Sequence, residues 1–204
     1  MRTISCILLG YLLGGVLFAP LSLKLCGKLD ALADSPDGNP GAYNAFRLGG
    51  FWCGCATVLG DLLKGIVPVY CYVRMGGNFS DQPFLSALAL AAPVLGHIYP
   101  LRAHFHGGKG VCTTFGCLLG LLPVWQPVIL FAALFLLFTL VLVVTPDFYK
   151  TLLVYLAFPA CLALLQPEPG LFWGSCVILL GVLGRFLTSP EEKAEMKMRF
   201  LWKS

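Results

Sequence analysis

Apolar residues run along this chain in long blocks, without the alternation of a half-buried strand or the one-sided stripe of a surface helix. The blocks are residues 4–25, 51–75, 84–101, 111–145, 151–165 and 171–187. About 20 apolar residues cross a bilayer as a helix. The block 111–145 is too long for one crossing, and Pro123, Trp125 and Pro127 divide it into a short helix and a full one. The pattern therefore predicts an all-α integral membrane protein with seven transmembrane helices, one of them short. Residues 4–25 are too long for a typical signal-peptide core and read as a retained span, with Gly10, Gly14 and Gly15 allowing another helix close approach. Residues 1–187 form one multi-pass domain. Residues 188–204 form a cytoplasmic amphipathic tail, expected to be a short surface helix. Ser189 can cap it, Pro190 suits its first turn, Glu191 and Glu192 suit its N-terminus, and Met196, Phe200 and Trp202 give it an apolar side.

Charge placement tests the count. If the first, third and fifth loops and the C-terminus face the cytoplasm, that side holds Lys24, Lys28, Arg47, Arg102, Lys109, Lys150, Arg185, Lys193, Lys197, Arg199 and Lys203. These are eleven of the 14 basic residues, with Arg2 and Arg74 opposite and Lys64 inside a span. Positive residues concentrate on the cytoplasmic side of membrane proteins, so an odd number of crossings is expected. Only 12% of the 204 residues are charged and 58% are hydrophobic, against about a quarter charged in soluble domains. No basic tract or aromatic platform suggests nucleic acid. The nine cysteines lie in or beside apolar runs without a C-x-x-C pair, and read as small apolar residues, neither disulfides nor a metal site.

Two polar segments carry the candidate chemistry, and both fall on the cytoplasmic side. The second begins Gly107-Gly108-Lys109-Gly110 and runs into apolar residues from Val111. Glycines bring backbone N–H groups close to an anion, and a lysine adds a point charge suited to phosphate. This is not a Walker loop, because Gly110 stands where Ser or Thr must follow the lysine. A tight turn with Lys109 marking the cytoplasmic side is the competing reading. The first segment holds Asn39, Gly41, Asn44 and Arg47. Arg47 and Lys109 together would hold a small dianion through charge-assisted hydrogen bonds. Asp61 and Lys64, three residues apart inside the second span, read as a structural ion pair beside a polar cavity. His104 and His106 are too close in sequence to form a metal site alone, and no nearby ligand completes one. A transporter would need an inverted repeat with paired broken helices, and none is evident.

Four motifs, in order, resemble those of the bacterial acyl-phosphate-dependent glycerol-3-phosphate acyltransferases, the PlsY family. They are Gly38-Asn39-Pro40-Gly41-Ala42-Tyr43-Asn44-Ala45-Phe46-Arg47, Asp61-Leu62-Leu63-Lys64-Gly65, Gly96-His97-Ile98-Tyr99-Pro100, and Gly107-Gly108-Lys109-Gly110-Val111-Cys112-Thr113. The resemblance implies a seven-helix enzyme of the bacterial plasma membrane with a cytoplasmic active site. Such enzymes transfer an acyl group from acyl phosphate to the 1-hydroxyl of glycerol 3-phosphate, giving lysophosphatidic acid for phospholipid synthesis. It implies no cofactor and no metal. The implied partners are the two substrates, membrane lipid and other phospholipid-synthesis enzymes. By matching position, Asn39, Gly41, Asn44 and Arg47 would bind phosphate and shape the pocket. Gly107, Gly108, Lys109 and Gly110 would hold a phosphorylated group. His97 and Lys109 would be catalytic, His97 by orienting the site or relaying a proton. Asp37 stands where the family has Ser, and Tyr43 where it has Thr. The family's third motif, with His and Asn after the last helix, is absent from residues 181–187. The competing functions are a paralogue that binds a phosphorylated lipid precursor or a partner, and an acyltransferase for another acceptor.

Overall fold

The structure, a computed structural model, describes residues 2–33, 35, 38–165, 168–188 and 195–201. Ten α-helices are present among them: α1 (Arg2–Gly14), α2 (Phe18–Leu25), α3 (Asp30–Ala33), α4 (Ala42–Asn44), α5 (Phe51–Arg74), α6 (Pro83–Ile98), α7 (Val111–Leu119), α8 (Gln126–Leu136), α9 (Asp147–Leu165) and α10 (Pro169–Thr188). Two short strands, β1 (Leu142–Thr145) and β2 (Lys197–Phe200), pair antiparallel, with Leu142 opposite Phe200 and Thr145 opposite Lys197. The chain is a helical integral membrane protein. Helix α5, residues Pro83–Ala103, α9 and α10 are long and apolar enough to cross a bilayer, and α1 with α2 reaches that length as a fifth when the bent pair is taken as one span. α7 and α8 fall short of that length. Among the described residues, length and composition alone thus support four or five of the seven expected crossings.

The first span is not the straight helix expected. It breaks between Gly14 and Phe18 and bends by 41°. Gly14-Gly15 has the weakest helix propensity short of proline. Pro20 lies in the first turn of α2, where its missing N–H is not needed. α1 also lies directly against α6: a Cβ on Gly96 would sit 2.1 Å from the Tyr11 carbonyl oxygen, and one on Gly14 2.0 Å from that of Pro93. Backbones this close tolerate only glycine at the crossing. Gly96→Val is therefore expected to lower stability by about 3 kcal/mol, the upper range for overpacking. Thermal unfolding in detergent measures this, and an unchanged midpoint would refute the close crossing.

A second difference lies at the end of the 111–145 block. α8 passes into a π-helical turn, Leu137–Val141, and then into β1. Val143, Val144 and Thr145 are β-branched and Pro146 follows, which disfavours helix at the preceding residue. The tail corrects a third expectation. Where a surface helix was expected, residues 197–200 form β2, because β1 offers unpaired backbone groups that an extended segment satisfies. The start of the expected tail helix, from Ser189 to Glu192, lies outside the described residues, as do Asp37 and Trp202.

The principal core fills the space between α5–α10. Phe131 of α8 is fully buried, with ring centroids 4.9 Å from Phe115, 4.9 Å from Phe158 and 5.3 Å from Tyr155. Edge-on aromatic packing of this kind joins α7, α8 and α9. Thr114 and Tyr155 share a buried hydroxyl–hydroxyl hydrogen bond of 2.7 Å, which anchors the first turn of α7 to α9. That contact fixes where α7 starts relative to α9.

Candidate active site

A cavity of about 390 Å³ opens where the loop before α4, the end of α6, the loop before α7 and the start of α9 meet. Asn39, Gly41 and Tyr43 line it from the first polar segment. Asp61 and His97 line it from α5 and α6, and Lys109, Gly110, Val111 and Cys112 from the second segment. Asp147, Phe148, Lys150 and Thr151 close it from α9.

Asn44, almost fully buried, donates through Nδ2 to the Asn39 carbonyl at 2.9 Å and so folds the first loop onto α4. Arg47 is exposed on the π-helical turn Ala45–Gly49 and does not line the cavity. Lys109 and Arg47 are thus not joined in one cavity here, although both lie in the predicted segments.

The glycine-rich loop is arranged differently from an open cradle. Gly107 N–H donates to the Ile98 carbonyl at 3.0 Å, and Gly108 N–H to that of His97 at 3.2 Å. These two amides satisfy the otherwise open carbonyls at the end of α6. Both glycines are buried against α6: a Cβ on Gly107 would lie 1.8 Å from the His97 carbonyl oxygen, and one on Gly108 2.3 Å from His97 Nε2. The glycines therefore set the distance between the loop and His97. Gly110 has a left-handed backbone, φ +78°, and from it α7 starts. The amides of the first turn of α7 have no carbonyl partner within the helix, and Val111 and Cys112 of that turn line the wall. A helix N-terminus favours an anion.

Lys109 extends over the ring of Phe148, its Nζ 5.2 Å from the centroid. Phe148 stacks on Phe186 of α10 at 4.3 Å with an interplanar angle of 12°. A cation over an aromatic face is attracted by the ring quadrupole, so the two rings support the lysine head at the cavity wall. Arg185, mostly buried near the end of α10, lines a small adjoining recess with Lys109 and Phe148. On α9, Lys150 Nζ pairs with Asp147 Oδ1 at 2.7 Å.

Behind the cavity lies a buried charged cluster. Lys64 Nζ is 2.8 Å from Asp61 Oδ1, 2.7 Å from His97 Nδ1 and 2.7 Å from the Val16 carbonyl oxygen. All three side chains are almost fully buried. Val16 sits in the break of the first span, where its carbonyl has no helical partner. Unpaired, each of these charges would be costly inside a membrane protein. His104 and His106 are exposed and lie outside the cavity, with His106 Nδ1 2.7 Å from the His104 carbonyl oxygen.

Sequence reasoning missed the contribution of α9. Asp147, Phe148 and Lys150 read as a turn between spans, although a lysine and an aspartate three residues apart at a helix start were visible. Arg185 was visible as a charge at the end of an apolar run, but its burial beside Lys109 was not. The packing of Phe186 behind Phe148 has no sequence signal.

A sequence model of the family described as "Glycerol-3-phosphate acyltransferase" matches residues 4–191. Among curated relatives, the glycerol-3-phosphate acyltransferase of Pseudomonas fluorescens (strain Pf0-1) is 45% identical over 116 residues, 57% of this chain and 59% of the relative. That of Pseudomonas syringae pv. tomato is 46% identical over 113 residues, 55% of this chain and 56% of the relative. The chain thus spans less than three-fifths of the length of these two relatives in the matched regions. Crystal structures of PlsY, an integral membrane glycerol 3-phosphate acyltransferase, share the fold at a TM-score of 0.74 and 24% identity. The glycerol 3-phosphate form covers 96% of both chains, and the lysophosphatidic acid form 91% of this chain and 88% of that one.

Proposed function

We propose that this chain, which belongs to the glycerol-3-phosphate acyltransferase family, transfers an acyl group from acyl phosphate to the 1-hydroxyl of glycerol 3-phosphate. The hydroxyl oxygen attacks the acyl carbonyl carbon, and the bond from that carbon to the phosphate oxygen breaks. The hydroxyl proton ends on the released inorganic phosphate, and the other product is 1-acylglycerol 3-phosphate. No external oxidant, metal or carrier is needed for the balance. An acyl phosphate is already activated, so the protein's work is to position two anionic substrates and to stabilise charge.

The observation that carries this reading is the meeting of Lys109, His97 and the first turn of α7 around one cavity of about 390 Å³. That volume lies in the range for small-ligand sites, about 300–1,000 Å³. Lys109 and the α7 N-terminus offer positive charge to a phosphoryl group. Val111 and Phe148 offer apolar wall to the carbons beside it. The related PlsY structure in a glycerol 3-phosphate form supports the choice of acceptor. The surplus of lysine and arginine on the same side as this cavity supports a cytoplasmic opening.

The test is acyl transfer by the purified protein in nanodiscs, with palmitoyl phosphate and labelled glycerol 3-phosphate. Labelled lysophosphatidic acid is the expected product. Substrate binding that depends on Lys109 with no product would turn the assignment to a binding paralogue. Neither binding nor product with glycerol 3-phosphate, but transfer to a different acceptor, would reassign the substrate.

A further inference from the structure

His97 reaches the cavity with one ring nitrogen already engaged, and the identity of that nitrogen determines what the other can do. A lysine ammonium has three donors and no acceptor. Lys64 Nζ has three short contacts: the Val16 carbonyl at 2.7 Å, Asp61 Oδ1 at 2.8 Å and His97 Nδ1 at 2.7 Å. With the ammonium intact, N–H groups go to the Val16 carbonyl and to Nδ1, which is the acceptor, while Asp61 Oδ1 is held beside the ammonium as an ion pair. The nearest carboxylate oxygen, Asp61 Oδ1, is 3.6 Å from Nδ1, beyond hydrogen-bond range. A proton on Nδ1 would point at a cation and find no acceptor. The alternative, Nδ1–H donating to an uncharged amine, would exchange the 2.8 Å ammonium–Asp61 ion pair for an imidazolium–carboxylate contact of 3.6 Å.

The ring proton then belongs on Nε2. This nitrogen lies beside Gly108, and nothing among the described residues hydrogen-bonds it. We propose that Lys64 is a positioning residue that locks His97 in its Nε2–H form, so that His97 presents a hydrogen-bond donor to the cavity and cannot take a proton there. The group it meets is an anionic or carbonyl oxygen of a phosphoryl or acyl ligand. The tautomer stands on the geometry alone; its part in catalysis rests on the acyl-transfer reading above.

This assigns a purpose to the break in the first span. A continuous helix would direct the Val16 carbonyl along its own axis. The break frees it to accept a proton of Lys64 and to fix the ammonium opposite the imidazole. It also separates two roles that the motif Gly96-His97 leaves open, orientation and proton relay. A neutral imidazole whose only lone pair is already occupied by an ammonium donates and does not relay.

The chain has three histidines. Replacing the exposed pair, His104→Gln and His106→Gln, leaves His97 as a single reporter for imidazole ¹⁵N NMR in nanodiscs. The expected spectrum has Nε2 protonated and Nδ1 bare and hydrogen-bonded. A proton on Nδ1, or on both nitrogens, overturns the proposal. Lys64→Met alone strands Asp61, so the paired variant Lys64→Met/Asp61→Asn, which removes both charges, is measured as well. Its Nε2–H preference is expected to weaken, and an unchanged tautomer would remove Lys64 from the role. In the transfer assay, His97→Gln keeps an N–H donor but no base, and is expected to exceed His97→Ala by about tenfold, the worth of one hydrogen bond. Equal loss in the two overturns the donor role. The NMR spectra need no turnover, so a failed acyl-transfer reading and a failed tautomer are told apart.

Discussion

Lys109→Ala is expected to reduce acyl transfer by about two to three orders of magnitude, the usual effect of removing one preorganised charge-stabilising donor, while leaving the protein folded. The side chain is only partly buried and lies on the cavity wall over Phe148, so its removal opens no core. What disappears is a positive charge beside the α7 N-terminus, where the proposed function puts the phosphoryl charge of the substrate. The steady-state rate separates the outcomes. A fall in kcat/KM with unchanged kcat would confine Lys109 to ground-state binding, and an equal fall in both would place its effect in the transition state. Lys109→Arg keeps the charge but spreads it over a planar fork, and is expected to recover part of the loss. Activity unchanged in Lys109→Ala would reduce the residue to a mark of membrane orientation.

Asp61→Asn is expected to lower stability by about 3–5 kcal/mol, the cost of leaving a buried charge without its partner. Asp61 and Lys64 lie one turn apart in α5, almost fully buried, 2.8 Å apart. The substitution conserves shape, so the loss comes from the stranded ammonium and not from a cavity. Lys64 also holds the Val16 carbonyl and His97, and the damage therefore spreads to the break in the first span and to the site. Replacing both members by apolar residues, Asp61→Leu with Lys64→Met, is expected to cost less than Asp61→Asn alone, since no lone charge remains. Unfolding of the two variants in detergent is the comparison. If the double replacement is the less stable of the two, the pair contributes more through its hydrogen bonds to Val16 and His97 than a buried charge costs when alone.

The family's third motif, with its histidine and asparagine, is absent from the end of α10. That end instead places Arg185 in a recess shared with Lys109 and stacks Phe186 on Phe148. The second gives the lysine an aromatic support. Neither contribution follows from spacing, because each depends on where α9 and α10 meet.

The fold class was legible in the sequence because a bilayer imposes a simple rule: a backbone in hydrocarbon must satisfy its own hydrogen bonds, and long apolar runs meet that rule as helices. The residues of the candidate site were legible to the extent that charges and glycines at the ends of apolar runs have few other reasons to be there. Asn39, Gly41, His97, Lys109 and Gly110 do line one cavity. Their chemistry was not legible, because hydrogen bonds are allotted in space. The amides of Gly107 and Gly108 go to α6, and Arg47 is exposed and does not line the cavity. Local pattern also failed where a distant segment supplied the deciding partner. Residues 197–200 carry helix-compatible chemistry, but β1 offers them a strand to pair with. Residues 15–17 sit inside an apolar run, but α6 needs the glycines and Lys64 needs the carbonyl of Val16. Hydropathy determined which segments enter the membrane, since that energy is a sum over the residues of each segment. Tertiary structure alone decided which donor meets which acceptor, since that energy depends on contacts between segments far apart in the chain.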